Sequence, residues 1–433
     1  MTIAIQPLSE SEFVLCAILV LMVPLAIAGL VMLNVGLGRA RSAAHSVLGA
    51  LCILAVAAIT YIVFGFGIEG APGLPEHAAI IAGKPWNWIA VSPWFLRSIS
   101  SASASTTLTV LLQLFGISLA AQIPWGSGSD RWKLRAACIS TVLFAGFLYP
   151  LFANWVWSGG WLAQLGANYG LGRGFMDPAG ASTMQALGGL TALAIIWIVG
   201  PRSGKFVRGE MPAVYPAHHI LYVLIGCLIM LGGWIGLNGA GALLFAGIPA
   251  ERIPLVAINT VLCASGSLLT AFFVTRFRFG KPDASLSANG WVAGLSASSA
   301  ICSSVTPAGA VLIGLMLGGA ISFIAEALEL HFGLDDPSGG ISMHAVGGIW
   351  GLLVVGFMGH LGVPRSGQML AQLTGILTLV GFALPCAYVL NLLLSKLVPY
   401  RATSEGDYHG MDVYELGAGA YPEFYMQNDD IPR

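Results

Sequence analysis

The chain has 433 residues, 56% of them hydrophobic and 9% charged, with a formal net charge of −1 and a mean hydropathy of +0.81. So little charge excludes an ordinary soluble domain and points to a polytopic membrane protein; the balanced charge gives no basic face for nucleic acid. Seven cysteines (16, 52, 138, 227, 263, 302, 386) stand singly in apolar runs without CxxC spacing, which indicates packing residues rather than a disulfide framework or a zinc site.

Residues 1–12 carry Glu10 and Glu12 but no Lys or Arg, and the apolar run at 13–35 is long enough to cross a bilayer, unlike a cleaved signal. Further runs lie near 44–66, 101–124, 135–153, 179–200, 217–237, 253–275, 288–304, 306–325, 341–361 and 368–396, which predicts eleven spans. The long segment 67–100 carries Trp86, Trp88 and Trp94, expected as an interfacial aromatic belt. An odd span count puts the termini on opposite sides. With the N-terminus outside, fourteen Lys and Arg fall on the inner side and five on the outer, so N-out, C-in is expected in a cell (inner or plasma) membrane.

One stretch is written twice. Residues 177–189 read DPAGASTMQALGG and 336–348 read DPSGGISMHAVGG, with Asp, Pro, Gly, Met, Ala and the closing Gly-Gly in register 159 residues apart. Each opens Asp-Pro, an N-cap acceptor expected before a proline at the first helical position. Eight residues after its Asp, one copy carries Gln185 and the other His344, expected just over two turns into the helix. Five spans apart, the copies run through the membrane in opposite directions. This predicts an all-α, inverted five-helix repeat with one extra helix: 1–200 as the first half, 201–366 as the second, 367–396 as the eleventh span and 397–433 as an inner tail. In such folds the substrate path lies at the repeat interface near the midplane.

An ionisable side chain inside a span is costly, about 2.5–3.5 kcal/mol for a central charge, and marks a functional position by default. A neutral imidazole avoids most of that cost, and it can both donate and accept a hydrogen bond. Gln185 can do the same with its amide. The pair is therefore expected to give an apolar pore one short polar step. Asp177 reads as a helix cap, and Glu326, Glu329, Asp335 and Asp336 as a solvated acidic edge on the inner side.

The sequence resembles the ammonium transporter (Amt/Mep/Rh) family over essentially its whole length. The resemblance rests on Asn154-Trp155-Val156-Trp157-Ser158-Gly159-Gly160, Asp177 through Gly180, Gly233-Trp234-Ile235-Gly236-Leu237-Asn238, Asn259-Thr260, Asn289-Gly290 with Ala293-Gly294-Leu295, and Gly410-Met411-Asp412 to Glu415, Gly417 and Ala420-Tyr421. It implies an eleven-span subunit with one pore, a homotrimer, passage of ammonium, methylammonium or ammonia, no enzymatic activity and no cofactor. By the same resemblance Trp157 takes part in an outer cation site near Asp177, and Gly241 falls where that site has a Ser. The pore's gate region falls on Phe115, Gly116 and Leu237, where the family has two Phe. Gln185 and His344 take the places of paired pore histidines.

These departures have expected consequences. A cation over an aromatic face gains about 0.5–2 kcal/mol, so missing rings and a missing hydroxyl weaken an ammonium site. Gly116 and Leu237 predict a shorter, wider constriction, and Gln185 cannot titrate, so no proton relay runs through both pore positions. The tail resembles a regulatory region that answers to a PII-type protein, with Leu416 where a His is usual. Three readings stay open: a conducting ammonium or methylammonium transporter, a transporter of another small amine or neutral polar solute, and a nonconducting ammonium receptor signalling through its tail.

Overall fold

A computed structural model describes residues 8–71, 76–92, 94–97, 99 and 103–421. Among the described residues ten helices are long and apolar enough to cross a membrane: α1 (Glu10–Leu37), α2 (Ala40–Glu69), α3 (Ala104–Gly128), α4 (Leu134–Trp157), α5 (Ala181–Val199), α6 (Ile220–Leu244), α7 (Ala250–Phe279), α9 (Pro307–Leu330), α10 (Ile341–Met358) and α11 (Arg365–Leu397). The remaining expected span is the helix α8 (Ala284–Ile301), which falls short of membrane-span apolarity. Its reason is location. Ser287, Ser296, Ser298 and Ser299 are buried with almost the whole helix, so its surroundings are protein and its small polar residues serve close packing.

The packing repeats with a shift of five helices. α1 lies along α6, and the contacts α1·α3, α2·α3, α2·α4 and α3·α5 recur as α6·α8, α7·α8, α7·α9 and α8·α10. α11 stands apart from this scheme and packs on α5 and α10. Two halves of matching architecture therefore face each other, and α5 and α10, which carry the duplicated stretch, meet at their interface.

The connecting segments sort into two groups at opposite ends. Asn87 donates to the carbonyl of Gly159, and Gln368 contacts the backbone of Arg173 and Gly174. At the other end Arg39, Asp130, Arg202, Asp335 and Asp407 share one network of ion pairs. Asp177 belongs to the first end and Asp336 to the second.

The Trp-rich segment is a hairpin, β1 (Glu76–Ile81) and β2 (Lys84–Ala90), paired antiparallel. Trp86 stacks on Trp161 at 5.0 Å, and the Trp155 indole donates to the carbonyl of Trp88 at 2.8 Å, which fixes the hairpin to the C-terminal end of α4. The alternation of Trp86, Trp88 and Ala90 with intervening residues suits a strand laid over a bundle, a period-two signal inside an otherwise helical chain.

The expected acidic edge needs correction. Asp335 is buried, and Arg202 grips it through both guanidinium arms, Nε to Oδ2 at 2.9 Å and NH2 to Oδ1 at 2.8 Å, while its Oδ2 also accepts the Arg202 backbone N–H at 2.8 Å. Burial alone would raise this carboxyl, but the charges of Arg131 and Arg202 and the hydrogen bonds from Arg202 override it and bring it down to about 2. Glu326 and Glu329 pair with Arg278 and Lys205. The tail joins the same network: Arg401 and Arg39 hold Asp407, and Asp412 accepts the backbone N–H groups of Ala44 and His45 at the start of α2.

Candidate functional site

The duplicated stretches do not begin their helices at proline. Asp177-Pro178 and Asp336-Pro337 form turns, and the helices start three to five residues later at Ala181 and Ile341. Asp177 reaches forward instead, accepting the N–H groups of Gly180 (2.8 Å), Ala181 (2.7 Å), Ser182 (2.8 Å) and Thr183 (3.2 Å). Its carboxylate is thus filled by the helix start, the capping role expected of it. Each helix opens with a π-type turn over 181–186 and 341–346, in which the Gln185 N–H reaches back five residues to the carbonyl of Gly180 at 2.9 Å. Gln185 and His344 consequently sit about one turn into their helices, on the widened turn. Such turns recur at functional positions because they push one side chain off the regular face.

The two helices cross where their glycines allow it. A Cβ on Gly189 would stand 2.4 Å from the backbone N of Ala345, and one on Gly348 would stand 3.1 Å from that of Ala186 and 2.4 Å from the carbonyl of Ala181. Under the 159-residue shift the Gly189–Ala345 contact maps onto Ala186–Gly348, so a two-fold relation runs through the crossing. Gln185 and His344 lie on that axis. His344 Nδ1 and Gln185 Oε1 are 2.7 Å apart, both residues are fully buried, and Ser296 Oγ is 3.4 Å from the same ring nitrogen. Sequence spacing alone placed these two side chains at equivalent positions; the structure brings them into contact.

The remaining atoms of the pair decide what it can do. Gln185 Nε2 and His344 Nε2 are buried and have no hydrogen-bond partner among the described residues. If the imidazole carries its proton on Nδ1, the amide N–H is left as a donor and His344 Nε2 as an acceptor. If the amide is turned, Oε1 is left as the acceptor and His344 Nε2–H as the donor. Either arrangement leaves a donor and an acceptor unused.

Other expected residues cluster on the Asp177 side of this pair. On α6, Gly241 packs against Pro178 and Ala179, Trp234 has its ring centroid 6.4 Å from that of His344, and the fully buried Leu237 lies between them on the same face. Gly241 has no side chain to offer a ligand; a Cβ there would be 2.4 Å from the carbonyl oxygen of Pro178. Trp157 donates its indole N–H to the carbonyl of Asp177 at 2.6 Å and stacks on Phe245, with centroids 4.3 Å apart and planes 7° from parallel. One face of Trp157 is therefore covered. Phe245 escaped the sequence reading, although it lies one turn beyond Gly241 on the extension of the α6 face.

At Gly116 another side chain takes the space that the glycine leaves. The space a side chain would take there holds the Met184 thioether, whose Cε is 2.2 Å and Sδ 3.0 Å from an ideal Gly116 Cβ, with the Tyr149 hydroxyl at 3.2 Å. A flexible side chain from α5 fills what a ring from α3 would have filled. Phe115 beside it is half-buried and packs into the core.

On the opposite side a cavity of about 620 Å³ opens among Lys205, Tyr215, Arg278, Glu326 and Glu329 and runs inward to Asn289, Gly339 and Ser342, two residues from His344. The pair thus lies between an aromatic-covered approach at the Asp177 end and an open polar vestibule at the Asp336 end. Among the described residues no cluster of His, Cys, Asp and Glu could hold a metal ion.

The Ammonium Transporter Family model matches residues 12–421, and Ammonium transporter Amt2 of Archaeoglobus fulgidus is 31% identical across 100% of this chain and 92% of its own length. The chain belongs to the ammonium transporter family. The Ammonium transporter of Bacillus subtilis is 27% identical over 94% of this chain and 97% of its own. Among solved structures, a Sensor Amt Protein superposes with a TM-score of 0.83 at 24% identity, covering 93% of this chain and 97% of that one. Mep2 of Saccharomyces cerevisiae gives 0.76 at 22% identity, covering 92% and 90%. The shared fold is that of ammonium transporters, multi-pass membrane proteins built from packed helices.

Proposed function

We propose that this ammonium transporter passes ammonia, taken from ammonium at the Asp177 end, across the Gln185–His344 pair to the inner vestibule. The observation that carries the reading is the pair's spare donor and spare acceptor, buried side by side. Ammonia has one lone pair and three N–H groups, so it can accept from one partner and donate to the other. The ammonium ion has donors only and would meet the pair's N–H unfavourably, besides bringing a charge into a dry site. Water offers the same donor and acceptor, so entry is decided before the pair, where Met184, Leu237 and the Trp157–Phe245 stack narrow the approach.

The expected working form is a homotrimer in a cell membrane, N-terminus outside, with 1–200 and 201–366 as inverted halves, 367–396 as the added span and 397–433 as an inner tail open to a PII-type regulator. What supports a regulated tail is its direct attachment to the starts of α2 and α4 through Asp412 and Glu415. Cross-linking to three copies and labelling of tail residues from the inner side only would be the expected results.

Purified protein in liposomes on a solid-supported membrane, pulsed with ammonium, methylammonium and larger amines, tests the function. A saturable response to ammonium is expected. Flux of a larger amine or an amide alone would move the assignment to another small solute, and ammonium binding without flux would make the protein a receptor.

A further inference from the structure

A groove on the flank of the bundle has no part in the path above. It encloses about 730 Å³ between β2, α4 and α11, lined by Trp88, Leu151, Trp155, Trp161, Leu377 and Phe382. Both helical walls carry a π-type turn there, Phe144–Leu148 in α4 and Leu379–Ala383 in α11, and in the second Gly381 adds no side chain, with nothing within 4 Å of where its Cβ would stand. The hollow is therefore built into the two helices rather than left by a loop. α11 is also the least buried of the ten spans, 22% of its apolar stretch against 33% or more in the others, as suits a helix added outside the two repeated halves.

What can fill the groove follows from its lining. Thr374 and Thr378 donate their hydroxyls to the carbonyls of Leu370 (2.8 Å) and Thr374 (2.7 Å) on their own helix, so neither proton is left for a polar solute. The unspent polar group is the Trp161 indole N–H, buried and without a partner among the described residues. An indole N–H only donates, so its partner must bring an acceptor oxygen. Along α4 the groove runs from Trp155 to Phe147, about 12 Å at roughly 1.5 Å per residue. That is most of the depth of one leaflet's hydrocarbon, about 15 Å. An apolar hollow of that length, with one donor at the hairpin end where aromatic residues mark the bilayer interface, has the shape of one acyl chain and its ester carbonyl. A second copy of this chain would need an element that projects by the depth of the hollow, whereas the bilayer supplies such chains all round it.

We propose that the groove is a binding site for a diacyl membrane lipid, with one acyl chain between α4 and α11 and its ester carbonyl accepting from the Trp161 indole. The site is separate from the Gln185–His344 pair and does not depend on what passes there. A chain held in it touches the hairpin and α11 together, an arrangement that only the folded protein offers, so the lipid raises the temperature of unfolding.

The test is a titration of the full-length protein in detergent with a diacyl phosphatidylcholine brominated in its acyl chains, read as quenching of tryptophan fluorescence. Trp88, Trp155 and Trp161 line the groove, so saturable quenching is expected in the wild type. Gly381→Leu puts a side chain into open space, so it should unfold in lipid-free detergent no earlier than the wild type and lose the saturable part of the quenching. Trp161→Phe keeps an aromatic ring and removes the N–H, which should weaken the diacyl lipid about three- to ten-fold. The dialkyl ether analogue, which lacks the carbonyl, should bind the wild type as weakly, and Trp161→Phe should no longer distinguish ester from ether. Quenching in Gly381→Leu equal to wild type, or a wild type indifferent between ester and ether, would overturn the proposal. So would a smaller assembly of Gly381→Leu on size exclusion, which would put a second copy in the groove. The ester-against-ether comparison uses the wild type alone, so it decides even if a variant fails to fold.

Discussion

At the Asp177 end the carboxylate is occupied by four backbone N–H groups and the Ser182 hydroxyl, and the approach is covered by stacked Trp157 and Phe245. At the Asp336 end the matching carboxylate takes the N–H of Ile341 and the hydroxyl of Ser127, and the turn lines an open cavity. The residues common to both copies, Asp, Pro, the glycines and Met, are those that fix the backbone of the turn and the crossing. The residues that differ include Gln185 against His344 and Ser182 against Ile341, so the two copies carry different polar groups on one frame. A duplicated frame has thus kept its geometry while its two mouths took on different chemistry.

The largest expected effect comes from breaking the frame itself. Gly189→Val and Gly348→Val each force side-chain atoms against backbone that cannot move aside, at 2.4 Å from Ala345 N and Ala181 O respectively. Each should destabilise by about 3 kcal/mol or more, and by similar amounts, since the two sites are equivalent. Thermal unfolding in detergent would show it; a mild effect at one glycine only would mean that the two-fold crossing is not the organising contact.

Removing either member of the pair comes next. His344→Ala and Gln185→Ala each leave the other's polar atom without its partner in a buried site, a loss of about 1–3 kcal/mol, and should reduce ammonium flux by about ten-fold or more. Gln185→Asn, which keeps the amide on a shorter stem, should recover less than Gln185→His, which restores reach to His344. Flux equal to wild type in both alanine variants would remove the pair from the path.

Asp177→Asn and Asp336→Asn compare the mouths directly. An amide oxygen cannot serve all the donors that crowd Asp177, so about 1–2 kcal/mol of stability should go there. The loss at Asp336, with fewer backbone donors, should be smaller. Equal losses would mean that the two turns lean on their carboxylates alike.

Much of this comparison is legible in the sequence. Long apolar runs report spans because the bilayer demands them, and the repeat reports an interface because both copies carry a polar residue at one position where lipid would tolerate none. α8 shows where the rule weakens: a helix walled in by protein needs no apolar surface, so Ser296, Ser298 and Ser299 replace it. The π-type turns escaped because no residue type demands them. Met184 filling the Gly116 site escaped because it depends on a flexible side chain 68 positions away. The groove between β2, α4 and α11 escaped because nothing in local spacing announces a meeting of residues so far apart in the chain. Asp335, expected on a solvated edge, was misplaced because charge content reports cost and not the partner that offsets it.

That aspartate separates the two mouths once more, by the smallest effect. Asp335 precedes Asp336, whereas the equivalent position before Asp177 is Met176, which does not titrate. Its carboxyl is held at about 2 in the folded protein, against an unfolded value near 3.8, by Arg131 and Arg202 acting against burial. A depressed folded value means that the stabilisation is complete above the unfolded value and is lost as pH falls through the folded one. The window is therefore from about pH 4 down to about pH 2, and the stake is on the order of 2 kcal/mol. Hydrogen exchange followed across that window should quicken at 335–345 before 176–186. Asp335→Asn should remove the difference in pH response while costing stability at neutral pH, because Arg202 then faces a neutral amide in a buried site. Parallel acceleration at both ends in the wild type would show that the Asp336 end draws no stability of its own from the Arg202 clamp.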